Sequence, residues 1–455
     1  MNKQIQLSDT QFANFRQSAI FQAAEKIFNP VRQAGGEIRL VGGAVRDLLL
    51  GRQPRDLDLV TNYIPGELLK IFPAAQQVGA AFGVLLVKSG QYTFEVASCR
   101  EERTYLDGRH PQSVRYSGDF MLDSRRRDFT VNALLLDPFT GIISDFHDGI
   151  YDLNHGIIRT IDMAEARFTE DYLRMLRAVR FAAKYNFIIA PETLSAIQLL
   201  ASKCKLLAPE RVQNELDKMF NSPHADYALR LLEESRLLAV LLPEVAALRQ
   251  VPQPPKYHPE GDALTHTILM LRHMSMPQGD LAWSVLLHDI GKPPTLARKP
   301  DGNFCFYNHE NVGGVMAEKI LRSLRFSNKS IENITCAIKN HMRFGSVVKM
   351  KRATICKLMA SENFPMELEL HRLDCMSSHK LMGNYLLLLD FLADQGNSPL
   401  PPPLLTGRDL IDAGYRPGPQ FAIILSRLEE EQLNGKITGR AAALAYIKEH
   451  FKNEV

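Results

Sequence analysis

The chain has 455 residues, of which 45% are hydrophobic and 23% charged, with a formal net charge of +3; that length implies two to four globular domains rather than one core. Near-neutrality excludes a uniformly basic nucleic-acid binder, so any affinity for RNA has to come from local patches. Six cysteines without a CxxC pair exclude a zinc ribbon or disulfide scaffold and point to a reducing cytoplasm, and no apolar stretch reaches the ~18 residues of a membrane span.

Residues 1–35 carry Phe12, Phe15, Ile20, Phe21, Ala24 and Ile27 near helical spacing, which predicts an amphipathic helix packed on the domain that follows. From Ile38 to about Asp148 short β-rich runs alternate with turns, as in RLVGG, LDLV, FGVLLV and YTFEVAS; they predict a small mixed sheet and a first domain over 1–150. The pattern then becomes helical over 151–250. Proline-rich VPQPPKYHP (251–259) opens a region over 251–380, and a helical tail follows over 381–455. The fold class expected is α+β. NYLLLLDFLA (384–393) reads as a buried helix, broken by Asp390.

The densest chemistry lies in LVGGAVRDLLLGRQPRDLDLV, residues 40–60. Gly42 and Gly43 lack β-carbons, so their backbone N–H groups can approach a phosphate chain, and the helix start behind them favours an anion. Asp56-Leu57-Asp58-Leu59-Val60 reads as a strand with Asp56 and Asp58 on one face, about 7 Å apart, where they can share Mg²⁺. Glu95 in YTFEVAS is a candidate third carboxylate, with Phe94 and Val96 on the opposite face. In RRRDFTVNALLLD (125–137) the arginine forks suit phosphate and ribose oxygens. ERTYLDGRHPQSVRYSGD (102–119) is polar and reads as a mobile lid. TEDYLRMLRAVRF (169–181) predicts a helix capped by Thr169 with Asp171 and Arg174 on one face, where an acceptor and a donor fork can read a base edge; Arg177 and Arg180 continue the stripe.

Further on, His266, His288, Asp289, His309, His341 and Asp374 form an ordered series within helical text, the donor set of a hydrolytic divalent-metal centre. Lys292 is placed to reach a phosphate. VVKMKRATICK (347–357) is the best basic patch for an RNA body, and the Gly414–Gly418 turn is a second place that can grip a phosphate.

The order GG, RD, DxD resembles the DNA polymerase β nucleotidyltransferase superfamily, and in the form LVGGAVRDLLLG…DLDLV it is most similar to the class II tRNA nucleotidyltransferases and bacterial poly(A) polymerases. That resemblance implies a catalytic head in which Asp56, Asp58 and Glu95 act with Mg²⁺ and Gly42, Gly43 and Arg46 sit at the nucleotide. It places Arg126, Arg127, Asp128 and Asn132 on the incoming sugar and phosphates, and Asp171, Arg174, Arg177 and Arg180 on its base and phosphates. The histidine series resembles an HD phosphohydrolase domain, with HDIGK as its most specific string; the resemblance assigns His266, His288, Asp289 and Asp374 to one metal and His309 and His341 to a second. The function implied is template-free addition of CCA, from CTP and ATP, to a tRNA 3′ end in the cytoplasm, with no membrane partner, plus a metal-dependent hydrolytic activity. An A-adding enzyme, a poly(A) polymerase and a non-catalytic RNA-binding protein are the alternatives; the basic-aromatic string expected of the polymerase is absent from VGAAFGVLLV.

Overall fold

The computed structural model describes residues 3–78, 83–105, 111–255, 258–275, 279–300, 302–395 and 400–451. They fall into two compact units, Met1–Pro243 and Glu244–Val455. The first holds the expected head and nearly all of the helical segment after it, and the second holds the HD region and the tail.

The first unit is built on a mixed sheet. Its strands are β1 (Lys3–Gln6), β2 (Ile38–Val41), β3 (Asp58–Thr61), β4 (Gln76–Val78), β5 (Val84–Ser89), β6 (Tyr92–Ser98), β9 (Leu135–Leu136) and β10 (Ile142–Asp145), in the order β1-β10-β9-β2-β3-β6-β5-β4. β7 (Arg100–Tyr105) and β8 (Pro111–Tyr116) form a separate antiparallel hairpin. Only the β3–β6 pair of the main sheet is parallel, in a register that sets Asp58 opposite Glu95. Period-two burial holds along β6, where Phe94, Val96 and Ser98 are buried and Thr93 and Glu95 exposed.

Residues 1–35 differ from the single helical reading. Lys3–Gln6 is a strand because its backbone finds partners on the edge of β10, and KQIQ has too few apolar positions for a helical face. Helix follows in two pieces, α1 (Asp9–Arg16) and α2 (Ala19–Gln33), each opened by a serine whose side chain accepts a first-turn N–H: Ser8 from Gln11 and Ser18 from Phe21. α2 buries Ile20, Phe21, Ala24, Ile27, Phe28 and Val31.

The remaining helices that matter for the site are α3 (Gly43–Leu49), α4 (Pro65–Ile71), α5 (Phe120–Arg125), α6 (Gly149–His155), α7 (Ala164–Glu170), α8 (Leu173–Tyr185), α9 (Pro191–Leu200) and α10 (Pro209–Phe220). α8 is the axis of the helical part. It buries Met175, Leu176, Ala178, Val179 and Ala182 and packs against α10.

The second unit is helical apart from a small hairpin, Leu296–Arg298 with Phe304–Phe306. Helices Ala263–His273, Gly279–Leu287, His309–Ser323, Asn328–Asn340 and Phe364–Ser377 surround a core that includes the chain's one tryptophan, Trp283, at 0% exposure. The segment NYLLLLDFLA forms the helix Gly383–Gln395 but is not buried as expected. Leu388 joins the cluster of Phe344, Val347 and Leu368, whereas Leu386 is 54% exposed. Four consecutive leucines span more of a helix circumference than one packed face can cover. Two of the four cations of the expected basic patch at 347–357 are paired, Lys351 with Glu430 and Lys357 with Glu429. The turn between Gly414 and Gly418 serves packing, because Tyr415 is buried and its hydroxyl donates to the carbonyls of Ile447 and Phe451. Among the described residues no helix is long and apolar enough to cross a membrane.

Candidate active sites

In the first unit, β2 ends where its backbone turns at Gly42, with φ +73. A β-carbon there would lie 3.2 Å from Asp58 Oδ2, so the missing side chain leaves room for the carboxylate. The last register pair of β2 with β3 is Val41 with Asp58, and the strand therefore starts at Asp58 rather than at Asp56 as expected. Asp56 precedes it in a bend, yet the alternation survives: Asp56 and Asp58 are exposed, Leu57 and Leu59 buried. Desolvation of its carboxylate by the surrounding groups raises Asp58 above its ordinary range although the residue reaches solvent, and the charges of Asp56 and Glu95 add to this against Arg127. Asp56 and Asp58 carry the hard oxygen donors that a divalent cation takes.

Asp56 and Asp58 open on a cavity of about 520 Å³ that is also lined by Gly42, Gly43, Arg46, Arg127, Asp128, Asn132, Asp171, Arg174, Arg177 and Arg211. Each arginine is aimed by a carboxylate. Arg127 Nη2 lies 3.1 Å from Asp123 Oδ2, Arg174 Nη1 donates to Glu170 at 2.5 Å, and Arg211 Nη2 donates to Asp171 Oδ2 at 2.8 Å. Arg177 donates to Asp128 Oδ2 through Nε at 2.8 Å and Nη2 at 2.5 Å. Burial works against the Asp128 carboxylate, but Arg177 and the Asn132 amide outweigh it and hold the group at about 2. Arg46 is buried, donates to Asn132, Tyr185 and Asp47, and lies 4.4 Å from the Tyr185 ring centre.

The stretch 169–181 is not one helix. α7 ends at Glu170, Asp171 is extended with φ −151, and α8 starts at Leu173. Thr169 therefore caps nothing; its hydroxyl donates to the Glu165 carbonyl one turn back. Asp171 instead accepts the Leu173 N–H at 3.0 Å, competing locally with helix continuation, and this break turns it into the cavity beside Arg174. Two expected nucleotide ligands fall outside the cavity. Arg126 follows the helix curvature away from Arg127, donates to Asp123, and lines a separate cavity of about 200 Å³. Arg180 is drawn to Glu215 of α10, at 2.5 Å. Glu95 neighbours Asp58 through the sheet register but does not line the cavity. Of the lid segment, residues 106–110 lie outside the described residues.

Sequence reasoning passed over Asp123 and Arg211. Asp123 stands three and four residues before Arg126 and Arg127, the spacing at which one helical carboxylate reaches both. Arg211 gave no such signal, since one cation at the start of an amphipathic helix is ordinary.

The second unit holds a different centre. His266 Nε2 lies 3.1 Å from Asp374, His288 Nε2 lies 3.1 Å from Asp289, and the Nε2 atoms of His309 and His341 are 3.2 Å apart. His288, His309 and His341 each bond through Nδ1 to a carbonyl three residues earlier, those of Val285, Phe306 and Ile338. The fourth, His266, bonds through Nδ1 to Glu260 at 2.7 Å. Anchoring Nδ1 leaves Nε2 as the free donor atom, which fits a metal centre. Three overlapping groups able to hold an ion, His258-Glu260-His266, His266-His288-Asp289 and Asp289-His309-His341, are linked through His266 and Asp289. Burial opposes the charged form of His266, but Asp374 and Glu260 raise it to about 9; burial together with His288 and His309 pushes His341 down to about 3. His288, Asp289, His309, His341 and Asp374 line a cavity of about 340 Å³, with His266 behind them. Lys292 also lines it, 2.7 Å from Asp289. Gly291 of HDIGK is required by contact, since a β-carbon there would come within 2.0 Å of the His309 carbonyl. Glu260 had not been singled out from the sequence, where it reads as one acid in a loop.

Comparison with known proteins places both centres. The profile of the Poly A polymerase head domain matches residues 38–159, that of the probable RNA and SrmB-binding site of polymerase A matches 186–248, and that of the HD domain matches 263–373. The multifunctional CCA protein of Shewanella frigidimarina is 36% identical over 338 residues, 72% of this chain and 79% of that one. The CCA-adding enzyme of Levilactobacillus brevis is 28% identical over 93% of this chain and 96% of its own. The crystal structure of the Bacillus stearothermophilus CCA-adding enzyme in complex with CTP superposes with a TM-score of 0.66 at 25% identity, covering 95% of this chain and 98% of that one. The Thermotoga maritima CCA-adding enzyme complexed with tRNA, at 16% identity and a TM-score of 0.68 over 99% of this chain and 100% of that one, shares the fold. With the head carboxylates, the arginine-lined cavity and the HD centre in place, the chain belongs to the CCA-adding enzyme family of tRNA nucleotidyltransferases.

Proposed function

We propose that this chain adds CCA, from CTP and ATP, to the 3′ end of tRNA in the cytoplasm without a nucleic-acid template. The observation that carries the reading is the convergence of Asp56, Asp58, Asp171 and five arginines on one cavity of nucleotide size, about 520 Å³. Asp56 and Asp58 would hold Mg²⁺, whose chemistry when bound is to neutralise triphosphate charge and acidify the attacking hydroxyl. Arg127 and Arg177 offer planar donors to phosphate oxygens, and their carboxylate partners keep them oriented before the nucleotide arrives. Asp171 accepts and Arg174 donates at the base edge, a pattern that suits cytosine and adenine and opposes guanine and uracil. Glu95 tunes Asp58 across the sheet. We retain the four-part division into head, neck, HD and tail within the two compact units.

The test is incubation with tRNAs ending before CCA, after C and after CC, with CTP and ATP supplied separately and together. Stepwise completion of all three supports the reading. Extension of the CC-ended tRNA alone would make this an A-adding enzyme, and A-tailing of an unrelated RNA a poly(A) polymerase.

The second unit supports a second activity, a metal-dependent phosphohydrolase. His266, His288, Asp289 and Asp374 would hold one divalent ion and His309 and His341 a second, supplying an activated water and a polarised phosphoryl group. The family relative named a multifunctional CCA protein is consistent with this. Loss of phosphatase or phosphodiesterase activity in His288→Ala and Asp289→Ala would support it, and absence of any such activity in the parent protein would end it.

A further inference from the structure

We propose that Arg52 and Lys184, together with the Tyr185 ring they share, form a phosphate site for the RNA strand that leads to the cavity of the first unit. The proposal rests on the tRNA-nucleotidyltransferase reading and adds a backbone contact outside the nucleotide pocket.

α8 carries Arg174, Arg177, Arg180 and Lys184 at spacings of three, three and four, one stripe of the helix. The first three each lie against a carboxylate, Glu170, Asp128 and Glu215 in turn. Lys184 breaks the series, because among the described residues no carboxylate lies within ion-pair distance of it. Arg52, exposed in the connection between α3 and β3, has none either. Yet the two are gathered at one place. The Lys184 ammonium is 5.0 Å and the Arg52 guanidinium 5.3 Å from the Tyr185 ring centre, with Arg46 at 4.4 Å on the same ring. The ring is fixed, since Tyr185 is 7% exposed and its hydroxyl donates to Asp47 at 3.0 Å. Burial and the neighbouring Arg46, Arg180 and Arg52 lower the Lys184 ammonium below its usual range, against the pull of Asp47, as expected where cations outnumber anions.

Exposed, unpaired cations held around a rigid aromatic relieve their mutual repulsion when an anion binds. The triphosphate is not the anion the placement favours. Neither Arg52 nor Lys184 lines the cavity, which already contains five arginines. Tyr185 stands one turn of α8 beyond Phe181, which does line it, so the pair lies past the cavity wall where a backbone would pass. Arg52 is also four residues before Asp56, on the connection that delivers the catalytic carboxylates. A phosphodiester between a guanidinium and an ammonium is a common backbone contact, which positions a strand and carries no sequence information.

The test uses the full chain, tRNA ending in CC, and an Arg52→Ala/Lys184→Ala double variant, with Arg52→Lys/Lys184→Arg as the conservative control. We expect the KM for tRNA to rise about tenfold, the KM for ATP and kcat at saturating tRNA to change less than twofold, and the log–log salt dependence of tRNA binding to flatten by about one unit. The charge-conserving control should restore most of the tRNA affinity. An unchanged KM for tRNA with an unchanged salt slope overturns the site, as does a rise in the ATP KM alone, which would make it a triphosphate contact. Nucleotide addition by the parent separates this from failure of the underlying reading: an inactive parent overturns both, whereas an active parent with an indifferent double variant overturns only the phosphate site.

Discussion

In the first unit every arginine lining the cavity leans on a carboxylate, whereas in the second unit His288, His309 and His341 each lean on a main-chain carbonyl. The difference follows from what each site must hold. A guanidinium is always charged, so five of them around one cavity need counter-charges to coexist, and those same carboxylates set their direction. An imidazole that is to present a lone pair must stay neutral, and a carbonyl orients it without adding charge. One site is thus preorganised by ion pairing and the other by local backbone geometry.

Separating the two centres gives the largest effect. Asp58→Ala should cut nucleotide addition by about a thousandfold or more while leaving hydrolysis by the second unit intact, and Asp289→Ala should do the reverse; a joint loss in either variant would show that the centres are not independent. The next largest concerns His266, which the Glu260 carboxylate holds together with His258. Glu260→Gln should weaken divalent-metal binding in the second unit by about 10- to 100-fold in a chelator competition, because Glu260 aligns His266; undiminished metal affinity would demote it to a loop residue.

Acid should expose the ion-pair dependence of the first unit. The folded Asp128 carboxyl is held at about 2 against 3.8 when unperturbed, so it stabilises the fold above about pH 4, and that contribution disappears as pH falls through 2. The linkage is worth about 2 kcal/mol. Circular dichroism of acid unfolding should show the parent losing that much more stability than Asp128→Asn between pH 5 and 2, and equal acid sensitivity would count against the depressed carboxyl. The smallest effect is in selectivity. Arg211→Ala should release Asp171 and reduce discrimination of CTP and ATP against UTP and GTP by about tenfold in kcat/KM; preserved discrimination would mean that Arg211 only packs.

Much of this comparison could be read from the residues themselves, for different reasons in different places. The glycine pair, the two aspartates and the histidine series are chemically unusual in their local text; Gly42 is kept by its left-handed φ and Gly291 by a backbone contact that a β-carbon would violate. The positions that misled were those where helical spacing was assumed to continue. Asp171 interrupts the helix by capping the next one, so its facing depends on a break that periodicity does not reveal. Arg126 and Arg180 look identical in sequence to their neighbours, and what separates them is the position of Asp123 and Glu215, a matter of tertiary placement. The strand at Lys3–Gln6 likewise exists because β10 offers an unpaired edge 140 residues away in the chain, and no four-residue pattern encodes that.

The carbonyl anchoring of His288, His309 and His341, each to the residue three positions before it, bears on how the second centre assembles. Such a contact closes within a single turn and needs no long loop to be ordered, so each ligand's tautomer is selected as soon as its own turn forms. What remains for tertiary folding is to bring prefabricated turns together, with Asp289 next to the His288 turn and Asp374 arriving on the helix Phe364–Ser377. Ion uptake then reports the docking of the helices rather than the preparation of each imidazole, and refolding followed by metal binding should lag behind refolding followed by helix content.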